Sequence, residues 1–530
     1  MSRIVLNNLT YSRPDGHTLF NNLNVSFENR RYGITGRNGS GKTTLIKLIT
    51  GELTPVTGTI QNTGKLAVMP QAREMASYGK VHELFSSSER YLALKRILSG
   101  SVDPSDYETL EDDWEVESLI EKYLDQTGTG YISPDRDYDT LSGGEKTKVL
   151  LASLLHSGPD FIIMDEPTNH LDRDSRMLLY EFAEEYEKGL IVISHDRELL
   201  RRMDVICEVS EAAIKLYGGN YDFYREQRAI EKSAALERLE EAERSLKKSV
   251  ALQERTLRNQ EKRMGRADKK AKEGGIPKVI RNSRRNSGEN TFGKITNSHL
   301  LKTEREKENL AAARAGIGRE YKISADFTDR RMPEGKIIFR AEQINFAYDE
   351  LNNLWQQDLS FELRGNGRLL IRGSNGSGKS TLLHLIGMEL QPKTGEITRC
   401  SSNIFILDQA VRFLEENETL LGNMKRFSGG KIPEHEMRIR LGRFLFYGDD
   451  VFKKVSVLSG GERVKAGLAC LLASDPQPDL ILLDEPTNNL DLESIEIITA
   501  GLNEYKGPLV VVSHDPDFAA ELKVTRELVL

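Results

Sequence analysis

A chain of 530 residues is too long for one hydrophobic core, since single cores stop growing at about 250–300 residues, so more than one domain is expected. With 38% hydrophobic and 29% charged residues the composition is that of a globular protein, and no run approaches the roughly 18 apolar residues of a membrane-spanning helix. The net charge is −7, the start MSRIVLNNLTYSRPDG lacks the apolar core of a signal peptide, and Cys207, Cys400 and Cys470 lie far apart without metal-ligand spacing, which points to a reducing cytoplasm.

The first segment with chemical content is GRNGSGKT, Gly36 to Thr43, a G-x-x-x-x-G-K-[ST] loop. Its glycines let backbone N–H groups approach phosphates closely, Lys42 can bring charge to the β- and γ-phosphates, and Thr43 a hydroxyl to Mg²⁺. Gly36, Asn38, Gly39, Gly41 and Thr44 complete the expected nucleotide contacts of this loop. Next, VDPSDYETLEDDWEVESLIE (Val102 to Glu121) holds nine acidic residues and no basic one, and reads as the solvated face of a helical region. LSGGEK places Ser142, Gly143 and Gly144 before a helical run, so that the helix start can bind an anion. FIIM, from Phe161, reads as a buried strand of a parallel sheet. It delivers Asp165 to a metal and Glu166 just beyond, where a carboxylate can polarise an attacking water. The strand IVIS ends in His195, within reach of a γ-phosphate and that water.

The centre has a different character. From Arg225 to Glu273 there is no Pro, Gly265 is the only glycine, and good helix formers dominate, which predicts one helix about 70 Å long. Leu239, Leu246, Val250, Leu257 and Met264 recur at four- or seven-residue steps, a seam fit for one partner helix. Gly274, Gly275 and Pro277 interrupt it, and a returning helix is expected from about Ile280 to Ala315. Between Arg255 and Arg285 twelve Lys/Arg stand against three Asp/Glu, a balance of +9 in a chain of −7. The positive charge is therefore expected at the tip of a rod. A one-signed tip with seven arginines suits a polyphosphate backbone, whereas solvated helices usually mix signs, as Glu231 to Glu243 does. Phe292 is the one aromatic close by, so folded RNA read by shape fits better than a stacked single strand.

The second half repeats the first. GSNGSGKS supplies Gly373, Asn375, Gly376, Gly378, Lys379 and Ser380, with Thr381 next; LSGGER supplies Ser459, Gly460 and Gly461. LILLDEPTNNLD supplies Asp484 and Glu485, and VVVSHD supplies His514. Spacings agree: Tyr11 precedes Lys42 by 31 residues and Tyr348 precedes Lys379 by 31, while 29 residues separate Glu166 from His195 and Glu485 from His514. One interval differs, with 71 residues from Gln71 to Ser142 and 50 from Gln409 to Ser459. Two complete, ordered sets of phosphate loop, signature, acidic strand end and His are strong evidence for ATP binding and hydrolysis.

On these motifs the chain resembles tandem ATP-binding-cassette proteins, and with a charged helical hairpin between the cassettes it is similar to the ABC-F family. The resemblance implies an α/β fold of two P-loop ABC ATPase domains joined by a long α-helical hairpin linker. The expected spans are 1–224, 225–325 and 326–530. It implies ATP and Mg²⁺ as ligands, Gln71 and Gln409 as the Gln-loop residues near nucleotide and metal, and Tyr11 and Tyr348 stacked on adenine. It further implies that the halves close face to face within one monomer, Lys42, Asp165 and Glu166 working with Ser459, and Lys379, Asp484 and Glu485 with Ser142.

The function implied is that of a ribosome-bound ATPase whose hairpin approaches tRNA and the peptidyl-transferase region from the exit side. The contacts expected with rRNA and tRNA are Arg263, Lys269, Lys270, Arg281, Arg284 and Arg285. A housekeeping translation factor and an antibiotic-resistance factor remain equal options within that reading. The alternatives are a DNA-acting ABC ATPase, whose basic coiled coil would grip duplex phosphates, and the ATPase of a transporter with separate membrane subunits, which would need only a short neutral linker.

Overall fold

The computed structural model describes residues 2–70, 78–169, 171–210, 213–273, 297–298, 300–314, 333, 335–349, 352–408, 410–488 and 490–530, with backbone alone at 257, 260–261, 263–265 and 267–273. Strands of the first half are β1 (Ile4–Ser12), β2 (Thr18–Phe27), β3 (Arg31–Thr35), β4 (Thr57–Asn62), β5 (Leu66–Val68), β6 (Phe161–Asp165), β7 (Gly189–Ile193), β8 (Val205–Val209) and β9 (Ile214–Tyr217). Those of the second are β10 (Ile337–Asn345), β11 (Leu359–Arg364), β12 (Arg368–Arg372), β13 (Thr394–Arg399), β14 (Ile404–Leu407), β15 (Leu480–Asp484), β16 (Leu509–Val512) and β17 (Arg526–Val529).

Each half builds the same two sheets. An antiparallel sheet of order β2-β1-β4 recurs as β11-β10-β13. A parallel core of order β5-β6-β7-β3-β8 recurs as β14-β15-β16-β12-β17, and β9 adds an antiparallel edge to the first. The continuous apolar runs are the central strands of these cores, as expected for a sheet covered on both faces. Phe161, Ile162 and Ile163 are fully buried, and so are Ile481, Leu482 and Leu483. Packing there is tight enough to require glycine at the head of β7: a Cβ on Gly189 would come within 2.2 Å of the Phe161 ring. The strand order reverses around β3 and β12, and the phosphate loops leave the C-terminal ends of those two strands, where open α/β sheets bind ligands.

A helical subdomain precedes each signature helix. In the first half it contains helices Ser88–Leu98, Pro104–Leu110 and Val116–Gln126, and in the second Leu420–Phe427 and Glu434–Arg443, one fewer among the described residues. The extra helix accounts for the longer interval noted in the sequence. Most carboxylates of the acidic stretch are exposed, as expected of a solvated helical face, and a few are paired. Leu110, Val116 and Ile120 bury one side of it, and some of its carboxylates meet the basic residues of Ser88–Leu98. Arg90 pairs with Glu111, and Arg96 with the buried Asp106 at 2.7 Å.

Residues Tyr224–Lys322 form a compact unit of their own. Helix Tyr221–Glu273 runs for 53 residues, about 80 Å at the standard rise, and begins one turn before the predicted Arg225. Asn220 explains the earlier start, since its side chain accepts the Phe223 N–H as a cap. Residues 297–298 and 300–314 return as helix, antiparallel to it: Ser249 bonds Thr303 at 3.1 Å and Glu243 pairs with Arg314 at 3.3 Å. Of the expected seam Leu239 and Leu246 are half-buried, and Val250 departs from it. Ser249 is 6% exposed and Val250 37%, because the hydroxyl pair Ser249–Thr303, with Gln253 beside it, occupies the interior line. The Leu257 and Met264 side chains, and the expected turn and start of the returning helix, lie outside the described residues. No described helix is long and apolar enough to cross a membrane.

Candidate nucleotide-binding and hydrolysis sites

Between β3 and helix Lys42–Ile49 the first phosphate loop turns on glycines that no other residue could replace without strain. Gly36 has φ 145° and a Cβ there would lie 2.2 Å from the Val209 carbonyl oxygen. Gly41, at φ 99°, starts the helix without a side-chain cap, as Gly378 does at φ 91°, and so leaves the first amides of each helix to a ligand. Lys42 Nζ donates to the carbonyls of Gly36 (2.7 Å) and Arg37 (3.1 Å), and Lys379 Nζ to those of Gly373 (2.9 Å) and Ser374 (2.8 Å). Each ammonium is thus held inside its own loop. Burial lowers the pKa of both lysines, while Glu166, Asp491 and Asp165 around Lys42, and Glu485, Asp484 and Asp172 around Lys379, oppose that shift. Asn38, Gly39, Asn375 and Gly376 are exposed at the loop rims.

Thr43 Oγ1 donates to Asp165 Oδ2 at 2.8 Å, and Ser380 bonds Asp484 in the same way. Burial pushes both carboxyls up, and the hydroxyls and lysines pull them down. Two hard oxygen donors per site fit Mg²⁺, which keeps water and phosphate oxygens as its other ligands. Among the described residues no cluster of three or more His, Cys, Asp or Glu could hold a metal without such help. Gln71 and Gln409 lie outside the described residues.

Glu166 and Glu485 share a feature the sequence did not announce. Both take left-handed backbone, φ 50° and 45°, a conformation that costs non-glycine residues about 1–3 kcal/mol and persists only when the surroundings impose it. The constraint is visible: their amides donate to Ile193 O (2.9 Å) and Val512 O (3.0 Å) on the strands that lead to the histidines. Each carboxyl is thereby turned toward its histidine, with His195 Nε2 3.2 Å from Glu166 and His514 Nε2 3.3 Å from Glu485. These are not ion pairs. Burial pushes Glu485 up to about 7 and Glu166 in the same direction, and drives His514 down to about 4 and His195 likewise below the usual imidazole range. Neither oxygen of the buried Glu485 carboxyl has a well-aligned hydrogen-bond partner, although the His514 backbone N–H points its way. A buried acceptor in that state can take a proton from water.

Ser142 and Ser459 begin helices Gly143–His156 and Gly460–Leu472 in matching capping boxes. Their hydroxyls donate to Glu145 and Glu462 at 2.7 Å, each within its own half. Contacts between halves come instead from the helices that follow the acidic and the histidine strands. The amide of Asn38 donates to Asp491 Oδ2 at 2.8 Å, and Arg37 Nη2 to Glu493 Oε1 at 2.6 Å. Asp172, the counterpart of Asp491, carries its charge near Lys379 and His514. Arg197 Nη1 donates to Glu521 at 2.9 Å and Arg201 Nη2 to Asp517 at 3.0 Å. Each phosphate loop therefore faces an aspartate of the other half. Asp172 and Asp491 were missed as site residues, although the Asp that closes TNHLD and TNNLD is itself part of the repeat.

The two tyrosines are placed differently. Tyr348 is 74% exposed, with its hydroxyl 2.6 Å from Thr381 Oγ1 and its ring packed edge-on against Phe346, 5.0 Å between centroids, beside the second phosphate-loop helix. Tyr11 is half-buried in β1 and packs against the first-half core.

Two parallel α/β cores with paired phosphate loops, facing one another through matched aspartates, define a tandem P-loop nucleotide-binding protein. A family profile described as ABC transporter matches residues 20–169 and 356–488. The putative ATP-binding protein YdiF of Bacillus subtilis is 31% identical over 527 residues, covering 94% of this chain and 76% of that one. The ATP-binding protein Uup of Haemophilus influenzae is 29% identical, covering 92% and 72%. Among solved structures, an archaeal ribosome recycling factor, aABCE1, in complex with the ribosomal stalk protein aP1, aligns with a TM-score of 0.58 at 19% identity, over 98% of this chain and 87% of that one. The chain belongs to the ABC transporter ATPase family: it is a tandem ABC ATPase that binds ATP.

Proposed function

We propose that this tandem ATPase is an ABC-F-type protein that acts on the ribosome, binding near the tRNA exit site with its hairpin directed at rRNA and tRNA. The observation that carries the reading is the separate helical unit between the cassettes, a 53-residue helix paired with a returning one, combined with the one-signed charge between Arg255 and Arg285. A rod of that length has no use in a transporter ATPase, and its charge suits folded RNA. The fold likeness to a ribosome recycling factor is compatible with this reading. The spans proposed are 1–224 and 326–530 for the cassettes and 225–325 for the linker. ATP with Mg²⁺ is held by Lys42, Thr43 and Asp165 at one site and Lys379, Ser380 and Asp484 at the other, Gln71 and Gln409 completing the metal sets and Tyr348 and Tyr11 the adenine contacts. ATP-driven closure admits the protein to a tRNA-vacant site and hydrolysis releases it, whether to modulate translation or to displace ribosome-targeting antibiotics.

The test is sucrose-gradient fractionation of a Glu166→Gln, Glu485→Gln trap, which should co-sediment with ribosomes in ATP; a trap that stays at the top of the gradient overturns the reading. Converting Lys269, Lys270, Arg281, Arg284 and Arg285 together to Gln in that trap should weaken ribosome association while ATP binding stays as it was. Removing one cation from a phosphate lowers the slope of log affinity against log salt by somewhat under one unit, about 0.7–0.9. An unchanged affinity and salt slope would leave the hairpin charge as an ordinary solvated surface.

A further inference from the structure

The motifs repeat in both halves, but the grip of the opposite half on each phosphate loop does not. The residue after the first glycine of the loop is Arg37 in the first half and Ser374 in the second. The Arg37 guanidinium reaches helix Leu492–Glu504 of the other half and engages both oxygens of Glu493, Nη2 donating to Oε1 at 2.6 Å and Nε to Oε2. One residue along the loop, the Asn38 amide donates to Asp491 Oδ2 at 2.8 Å, so both contacts close on the start of one helix. The counterpart of Glu493 is Asp174, at the start of helix Arg173–Glu185. Ser374, an uncharged hydroxyl on a one-carbon stem, cannot form such a pair with it. Coverage divides the same way. Asp491 and Leu492 are buried and Glu493 is half-buried, whereas Asp172 is half-buried and Arg173 and Asp174 are exposed.

We propose that Arg37 is a positioning residue of the first site: by clamping the first phosphate loop to Glu493 it keeps the halves closed over the nucleotide there, and the first site retains ATP longer than the second. This rests on the reading of the two loops as the ATP sites. A nucleotide enclosed between two halves leaves when they part, so a contact that must break first lengthens its stay without touching it. Exposed ion pairs contribute little as a rule, but two-point pairs of the planar guanidinium with a carboxylate are the stronger kind. The Arg37 side chain is 48% exposed and that of Glu493 20%, so the carboxylate is the drier partner. Removing the arginine leaves that half-buried charge unpaired beside a loop built for polyphosphate, a loss that acts on dissociation. In the backbone the loops are alike, since the carbonyls of Arg37 and Ser374 both accept from the lysines of their loops, at 3.1 and 2.8 Å. The difference lies in the side chain.

Nucleotide release from the full chain tests the clamp. From the Glu166→Gln, Glu485→Gln protein, a fluorescent ATP analogue chased with unlabelled ATP should leave in a slow and a fast phase of equal amplitude. Lys42→Ala should remove the slow phase and Lys379→Ala the fast one. Arg37→Ser, which copies the second loop, and Glu493→Gln should each speed the slow phase about threefold to tenfold, between the effect of an exposed pair and that of a buried charged bond. The fast phase should hold in both variants, which also shows that the protein is folded. Exchanging the charges, Arg37→Glu with Glu493→Arg, should restore most of the slow phase. A single phase in the parent, removal of the slow phase by Lys379→Ala, acceleration of both phases or of neither, or an exchange variant no slower than Arg37→Ser would each overturn the inference. Full nucleotide occupancy in both lysine variants would instead overturn the assignment of the loops on which it stands.

Discussion

Replacing Glu166 and Glu485 together with Gln is expected to lower ATP turnover by about 10²–10⁴-fold and to leave nucleotide binding intact. Glutamine keeps the size and the polar contacts but cannot take a proton. The structure explains why so little else should change. The strain of left-handed backbone at φ 50° and 45° is imposed by the Ile193 and Val512 carbonyls through main-chain bonds, which the substitution leaves in place. Nucleotide is expected to meet the loop amides, Lys42 and Lys379, none of which depends on the glutamate for its geometry: both ammonium groups are held by loop carbonyls. Phosphate release measured beside equilibrium binding of a fluorescent ATP analogue checks both halves of the expectation. Turnover within a few-fold of the parent protein would mean that another group activates the water.

How far the sequence could be read depended on whether a feature is local. The phosphate loops, the buried strands and the long helix are each specified by neighbours within a few residues, so glycine spacing, continuous apolar runs and helix-forming composition identify them. What lay beyond reach arises from contacts distant in sequence. The turned backbone of Glu166 comes from its bond to Ile193, and the Asn38–Asp491 and Arg37–Glu493 contacts join residues from opposite halves. The acidic stretch is largely the solvated helical face expected, but its pairing with Arg90 and Arg96 of the adjoining helix could not be read along the chain. At Val250 the hairpin seam departs from the apolar pattern because Ser249 and Thr303 satisfy each other inside it, and a hydroxyl pair leaves no trace in such a pattern.

Ser142→Arg is expected to impair the site built on Lys379 and to spare the site built on Lys42, although Ser142 belongs to the same half as Lys42. Cross-half traffic already governs the aspartates, since Asn38 bonds Asp491 and Asp172 lies in the field of Lys379. If the halves close further along that direction, the helix start at Ser142 comes to the γ-phosphate held by the second loop, where a hydroxyl and successive amides can stabilise developing charge. Losing one such donor, and filling its place with a long side chain, should cost about 10²–10³-fold in turnover at that site. A competing effect is local. Ser142 also caps its own helix, its hydroxyl accepting from Glu145 N–H at 3.3 Å, and removal of a cap costs about 1 kcal/mol in the first half itself. Ser142→Ala loses the same cap without blocking the space, so it serves as the control for that local effect. Single-turnover rates of Ser142→Arg and Ser142→Ala, each in the Glu166→Gln and the Glu485→Gln background, separate the two effects. A loss confined to the Glu166→Gln background, larger for Ser142→Arg than for Ser142→Ala, which also lacks the hydroxyl, is the expected pattern. Should the loss instead follow Lys42, in the half that contains the substitution, then each cassette completes its own site and the face-to-face arrangement of signature and phosphate loop is wrong.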